Sequence, residues 1–354
     1  MNTSAFFYHD KPVFGLDIGF RSVKVMQIGW ENNKPVTLAY GVGDFDPKTI
    51  KDGVIIDPET LAASIQNVFK NQVQGEITTR RVIMGIPATR TFSRLIKLPK
   101  LSNKELADAI RTATEQYIPV PIDNLYSDFD ITSSNDKEME LFTVSVPKTV
   151  IDSYIKLSQL LGLEVVAMET TTSAVSRLFT HTDDSDTPTV LIDFGSISSD
   201  ITVFDGSPIV TGTVAGGGDN FTANIAQKLH VSYSEALVIK TKYGIDQSKK
   251  QHEIHEALQP ILSQLLKEIR RMIRYYEERS GTKKKITQIV SLGGGANMPG
   301  LNEYLTDALR LPVRTSDPFQ HIRMSHLKTT DNVERSLYVT ASGLALIKPR
   351  EVFE

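Results

Sequence analysis

The sequence predicts an α/β protein built from two related halves. Three observations carry this: a length of 354 residues, a strand–turn–strand unit that occurs twice, and helical patterning after each copy. One hydrophobic core rarely organises a chain of this length, so two domains are expected. The first unit opens on an apolar strand with Val13, Phe14, Leu16 and Ile18, which carries Asp17-Ile18-Gly19 and turns through Phe20-Arg21-Ser22. Alternating Val23, Val25 and Ile28 mark a second strand, Glu31-Asn32-Asn33-Lys34 a polar turn, and residues 36–42 a third strand. In the second unit Val190, Leu191 and Ile192 lead to Asp193-Phe194-Gly195; a turn at residues 196–199, a strand at 201–204, a turn at 205–208 and a strand at 209–214 follow. Asp17 and Asp193 hold the same place in the two units. A repeat this long implies two similar domains facing each other. Helical patterns at residues 58–71, 220–229 and 234–243 complete an α/β architecture in both halves.

Composition narrows the function classes. An apolar fraction of 40% and a charged fraction of 23% are those of a globular protein. A net charge of −3 gives no electrostatic case for nucleic acid. The absence of cysteine excludes disulfides and thiolate metal sites and fits a reducing compartment. Residues 1–12 lack the basic start and apolar core of a signal peptide, and residues 348–354 are too short and acidic for an amphipathic anchor. No apolar run approaches the roughly 20 residues that span a bilayer. A cytoplasmic location is expected, with any membrane association made through a partner.

A carboxylate at the end of a buried strand is costly unless it is paired, hydrogen-bonded or near a metal. The glycine after each aspartate, Gly19 and Gly195, lets the backbone turn tightly beside a ligand. Successive backbone N–H groups in such turns form concave anion sites, so the two turns, with Ser22, Ser196 and Ser198, could grip a polyphosphate from both sides. Asp17 and Asp193 would then hold a hydrated Mg²⁺, an ion that keeps several waters and takes few direct carboxylates. One Asp-x-Gly alone reads as a hairpin turn; two in register within duplicated units read as a site. Lys24, on the strand after the first turn, either reaches a phosphate as a point charge or is simply exposed. A third cluster, Gly293-Gly294-Gly295 with Asn297, lies between an apolar strand and a helix at residues 301–309, a natural place for a nucleotide against backbone. Gly217 and Gly218, opening the helix near Asn220, form a further close-approach turn. The spacing fits neither a P-loop nor a dinucleotide fingerprint.

In this order the motifs resemble the first phosphate, second phosphate and adenosine motifs of the actin, sugar kinase and heat-shock chaperone superfamily. The resemblance implies an actin-like ATPase fold of two duplicated ribonuclease H-like domains with ATP and Mg as cofactors. It also makes residues 169–175 a connecting helix in which Glu169 would position an attacking water; at a helix start Glu169 could equally just favour the helix dipole. Residues 235–244, with Glu235 and Lys240, are similar to the segment that holds ribose and adenine in the cell-division protein FtsA. Within the superfamily the chain resembles the PilM family of type IV pilus assembly from about residue 14 to 347, most specifically at Glu105-Leu106 and at Ala113-Thr114-Glu115-Gln116-Tyr117-Ile118-Pro119-Val120-Pro121-Ile122. That resemblance implies a first domain of residues 1–89, 166–187 and 335–354, an inserted partner-binding subdomain at 90–165, and a second domain at 188–334. The insert reads as a helix at 103–117, strands near 126–131 and 141–146, and a helix at 150–161, a small α+β unit whose edge strand could accept an extended peptide. The implied partner is the cytoplasmic N-terminus of a PilN-type membrane protein, in a groove between the insert and the first domain. Other pilus inner-membrane assembly proteins, a motor and self-association into a homo-oligomer are further expected contacts.

Two positions depart from the family pattern. Phe20 stands where a Thr or Ser usually follows the first Asp-x-Gly, and Leu237 where the FtsA-like pattern often carries an acid. Leu237 implies fewer ribose contacts, both departures weaken the case for efficient hydrolysis, and Phe20 suits the site to holding ATP more than to spending it. An FtsA-like filament former and a small-molecule kinase are the alternative readings. His252-Glu253-Ile254-His255-Glu256 lacks zincin spacing and reads as a solvated helix start. Residues 258–279 read as a core-packed amphipathic helix with a basic face, Lys283-Lys284-Lys285 as an exposed loop, and residues 182–188 as an acidic loop between domains.

Overall fold

In the computed structural model of the protein the described residues are 11–181, 186–279, 284–324, 327–328, 332–348 and 352. The readings made above of residues 1–10, 182–185, Lys283, 349–351 and 353–354 lie outside them. The first half begins with β1 (Phe14–Ile18), β2 (Ser22–Glu31) and β3 (Lys34–Asp44), followed by the small hairpin β4 (Ile50–Lys51) and β5 (Val54–Ile55). Helix α1 (Pro58–Asn71), β6 (Val73–Gly75) and β7 (Arg81–Ile86) come next. Asp57 caps α1 by accepting the Thr60 N–H at 3.1 Å, and Pro58 occupies the first helical position, where its missing N–H costs nothing.

The insert runs through β8 (Phe92–Pro99), α2 (Asn103–Glu115), β9 (Leu125–Ser134) and β10 (Glu138–Pro147); α3 (Lys148–Leu161), β11 (Glu164–Thr170) and α4 (Thr171–Thr180) return the chain to the first half. The second half contains β12 (Thr189–Phe194), β13 (Ser198–Phe204), β14 (Pro208–Ala215), α5 (Gly218–Leu229), α6 (Tyr233–Lys242), α7 (Gln251–Arg279), β15 (Gln288–Leu292), α8 (Leu301–Leu309) and β16 (Val313–Thr315). The short β17 (Arg323–Met324) and α9 (Val339–Ala345) rejoin the first half.

The duplication read from the sequence extends to sheet order. The first sheet runs β11-β7-β1-β2-β3 and the second β16-β15-β12-β13-β14. Each is an antiparallel meander continued by two parallel strands. The halves differ at the meander's far edge. β3 is covered by β17 and β6, whereas among the described residues β14 ends its sheet with no strand on its outer side.

Helices α4 and α9 pack between the two sheets. Val175, Leu178 and Phe179 from α4 and Val339, Ala341 and Ala345 from α9 join Met26 and Tyr40 of the first half and Leu191, Phe204 and Leu292 of the second in one buried cluster. Two glycines set this spacing. A Cβ on Gly343 would collide with the Ala174 backbone of α4, and one on Gly15 with the Ala341 carbonyl of α9. Backbones packed this closely leave no room for a side chain.

Two features of the insert go beyond its sequence reading. Its three-stranded sheet, β8-β10-β9, includes β8, which the pattern did not reveal, as one edge. Its own core is Ile96, Leu106, Ile110, Met139 and Leu141. Helix α3, expected within the insert, instead places Val150, Tyr154 and Leu157 in the first-half core beside Phe14, Leu16 and Leu61.

Gly343→Val should therefore destabilise the chain by about 3 kcal/mol or more, because the added methyls meet backbone rather than movable side chains. Urea unfolding measures this, and a midpoint within error of the parent protein would contradict the packing described.

Candidate functional site

The two Asp-x-Gly turns are built alike. In the first, the Gly19 N–H donates to the Ser22 carbonyl at 3.0 Å; in the second, the Gly195 N–H donates to the Ser198 carbonyl at 3.0 Å. The turns face each other across a cavity of about 260 Å³ between the halves. Asp17, Gly19, Phe20, Ser22 and Lys24 line it from the first half, and Asp193, Gly195, Ser196 and Ser198 from the second. Gly218, Lys240 and Gly293-Gly294-Gly295 complete the second side.

Cross-strand pairing sets the charge around the aspartates. Asp17 lies opposite Lys24 on β2, and their side chains form an ion pair at 3.4 Å, both nearly buried. The equivalent pair in the second half is Asp193 opposite Asp200 on β13. Asp200 also lines the cavity and accepts a hydrogen bond from the Thr213 hydroxyl at 2.6 Å. Burial, with Asp200 and then Asp17 nearby, pushes the Asp193 carboxyl up to about 7 against the opposing pull of Lys24. Burial likewise raises Asp200 to about 6, opposed by its bond from Thr213.

Glycine is required at Gly293, whose φ is +79° and where a Cβ would strike the Asp193 carboxylate. The Ser336 hydroxyl donates to the Gly293 carbonyl at 3.1 Å. Gly217 lies directly behind the second turn and lets α5 approach it: the Gly218 N–H reaches the Gly195 carbonyl at 2.9 Å and the Asp219 N–H the Ser196 carbonyl at 2.7 Å. Lys240 donates to the Gly218 carbonyl at 2.7 Å, and burial holds its pKa below the usual lysine value, opposed by nearby Asp219. At the rim Arg21 of the first turn forms an ion pair with Asp219, and the Tyr233 hydroxyl donates to Asp219 at 3.1 Å.

Four of the expected residues are not on the cavity lining. The Glu169 carboxylate lies on the same face of the sheet as Asp17 but is held by Arg177 of α4, which pairs with both its oxygens. Arg177 also donates to the Gly343 carbonyl at 3.1 Å, which ties the pair to the contact between α4 and α9. Glu235 caps its own helix, accepting from the Ser232 N–H at 2.9 Å. Asn297 braces the glycine loop from behind by donating to Ser336 at 2.7 Å. Gly217 is the fourth, in the backing position just described.

Sequence reading missed Asp200, Asp219, Thr89 and Thr171, all of which line the cavity. Asp200 was recoverable: once the two units are aligned on their aspartates, it takes the place of Lys24. Among the described residues no group of His, Cys, Asp and Glu is arranged to enclose a metal ion by itself.

A family profile described as "Type IV pilus assembly protein PilM" matches residues 15–348. Among solved structures, a PilM-PilN type IV pilus biogenesis complex is similar with a TM-score of 0.81 at 22% identity, over 94% of this chain and 97% of that one. MreB5 of Spiroplasma citri, bound to AMPPNP, is similar with a TM-score of 0.52 at 14% identity, over 97% and 96% of the two chains. The cell division protein FtsA of Bacillus subtilis (strain 168) is 23% identical over 346 residues, which span 86% of this chain and 78% of FtsA. The fold is the actin-like ATPase fold, two duplicated ribonuclease H-like domains with a small α+β insert.

The raised Asp193 pKa has a sign that stability measurements can read. Between the ordinary value of 3.8 and about 7, the folded chain keeps a proton on Asp193 that the unfolded chain has released. Stability from this group is therefore lost as pH rises through that window. In metal-free, nucleotide-free protein, Asp193→Asn should flatten the fall in urea midpoint between about pH 5 and about pH 8. Identical slopes for the variant and its parent would show that Asp193 titrates normally.

Proposed function

The chain belongs to the family described as type IV pilus assembly protein PilM, and on that premise we propose that it is an ATP-holding scaffold of the pilus inner-membrane assembly complex that binds the cytoplasmic N-terminal tail of a PilN-type membrane protein. The observation that carries the nucleotide half is the cavity in which two identically closed Asp-x-Gly turns face each other. Its residues suit a polyphosphate with a hydrated divalent cation. Glycine turns allow close backbone approach, Lys24 supplies positive charge, and Asp17, Asp193 and Asp200 supply oxygen acceptors. Two facing carboxylates suit Mg²⁺, which keeps waters and takes phosphate oxygens as ligands. When bound, the ion would neutralise phosphate charge. Asp17, Asp193 and Asp200 would orient its waters, and Lys240 with the glycine loop at Gly293 would hold the nucleoside end.

Two details favour holding ATP over spending it. Phe20 lines the cavity where a hydroxyl would otherwise face the phosphates. Glu169, the carboxylate expected to orient water, is engaged by Arg177 of α4 through both its oxygens. Slow turnover follows from both.

The partner half rests on a second cavity, of about 340 Å³, where the insert meets both halves. Ala88 and Thr89 line it from the first half, Ser93, Arg94 and Tyr117 from the insert, and Thr211, Gly212 and Thr213 from the second half. Tyr117 belongs to the most family-specific stretch of the sequence. Its hydroxyl hydrogen-bonds to Thr143 at 3.0 Å, and Arg94 stacks over its ring at 4.8 Å. Strands β8 and β14, which border this groove, are both sheet edges, so an extended tail could add to either. Among the described residues no helix is long and apolar enough to cross a membrane, and in this reading the tail supplies the membrane link.

Calorimetry tests both halves. Asp17→Ala and Asp193→Ala should each abolish MgATP binding, while a synthetic PilN-type N-terminal peptide should bind the parent protein. Unchanged ATP affinity in both variants would remove the nucleotide site. No peptide binding with or without ATP would remove the partner reading and favour an FtsA-like role.

A further inference from the structure

We propose that Thr213 is a positioning residue that couples the peptide groove to the nucleotide cavity by holding the Asp200 carboxylate. This inference rests on the functional reading above and names the link between its two sites.

The wall between the two cavities is thin. Thr89 lines both, Thr171 lines the nucleotide side, and its neighbour Thr172 lines the groove. Thr213 crosses the wall. It sits on β14, exposed and lining the groove, directly opposite Asp200 in the β13–β14 register. Its hydroxyl donates to an Asp200 oxygen at 2.6 Å, and Asp200 lines the nucleotide cavity. One hydrogen bond thus runs from a surface a peptide can touch to a carboxylate a metal-bound nucleotide can touch.

Hydroxyl chemistry gives the link a direction. A threonine hydroxyl has one proton to donate and lone pairs to accept with. With its proton committed to Asp200, Thr213 can only accept from the groove side. A peptide lying in the groove against the face of β14 that carries Thr213 presents backbone N–H groups, the complementary donors. Accepting one fixes the hydroxyl and strengthens its own donation, since hydrogen bonds in a chain polarise one another. Asp200 is then held in one orientation beside Asp193, as a hydrated cation requires. Each ligand would pre-order the site for the other.

The duplication supplies an internal comparison. In the first half the corresponding cross-strand positions are Asp17, Lys24 and Val42. Valine has the shape of threonine without the hydroxyl, so that half has no such link, and its β3 edge is covered by other strands. The hydroxyl occurs in the half whose edge opens onto the groove.

The test measures the affinity of the PilN-type N-terminal peptide with and without saturating MgATP in three proteins: the parent, Thr213→Val and Thr213→Ser. Thr213→Val reproduces the first-half residue at an exposed position, and thermal melts check that it folds. In the parent, MgATP should tighten peptide binding about fivefold or more, and by reciprocity the peptide should tighten MgATP equally. The ratio should fall to near one in Thr213→Val and persist in Thr213→Ser. A parent ratio near or below one, or a Thr213→Val ratio equal to the parent's, would overturn the inference. If both ligands bind and only the ratios disagree, the functional reading survives. If the parent binds neither ligand, both fall together.

Discussion

Everything at the centre of this molecule depends on placing two carboxylates at the ends of two buried strands and facing them across a cleft. An isolated carboxylate in such a position is costly, and the two halves meet the cost differently. Asp17 is neutralised by Lys24, the residue opposite it in the sheet. Asp193 faces Asp200 in the same register, and the pair holds protons more tightly than free carboxyls do. The duplication is thus symmetric in backbone and asymmetric in charge. One wall brings a compensated carboxylate; the other brings two that remain short of positive charge. A cation with phosphate oxygens is the kind of ligand that relieves the second wall without disturbing the first.

The packing that holds the walls apart is largely independent of the site. Helices α4 and α9 fill the space between the sheets with apolar side chains, and Gly15 and Gly343 bring the backbones into direct contact. That contact fixes the base of the cleft. The ties farther out are polar: Arg21 with Asp219 at the cavity rim, and Arg279 of α7 with Glu140 of the insert at 2.9 Å. The Arg21 side chain is 48% exposed, and exposed ion pairs contribute only about 0–1 kcal/mol. A rigid base with weak outer ties is the arrangement expected of a cleft that opens about its base.

What was legible in the sequence follows the same division. The duplicated units stood out because alternating apolar residues and Asp-x-Gly turns are local signals, and the glycine loop at Gly293 was equally clear. Asp200 was missed because, between Ser199 and Ile201, it reads as an ordinary polar residue of a half-exposed strand. Its importance comes from its neighbour across the sheet, which no local window reports. Glu169 differs the other way: its place along the chain suits the site, but Arg177 on the helix that follows holds its carboxylate. Strand β8 escaped notice because Arg94 and Lys97 interrupt its apolar pattern, and α3 was assigned to the insert because it follows β10 without a break. Its apolar face belongs to a core formed by residues more than eighty positions earlier, such as Phe14 and Leu61. Contacts of that range are set by topology.

That topology also explains why the partner groove lies where it does. In the first half β17 and β6 cover the outer strand of the meander, so that edge is closed to pairing. In the second half no strand among the described residues pairs with the outer side of β14, and the insert brings its own edge β8 beside it. The two edges belong to different sheets, β8 to that of the insert and β14 to that of the second half. If the halves close on a nucleotide as proposed, the same closure would set the separation of these edges and the distance between the Asp17 and Asp193 turns. A peptide strand touching both edges and a nucleotide touching both turns would constrain one degree of freedom from two places. Coupling between them then needs no long relay through the core, only a shared wall, and that wall is where Thr89, Thr172 and Thr213 stand.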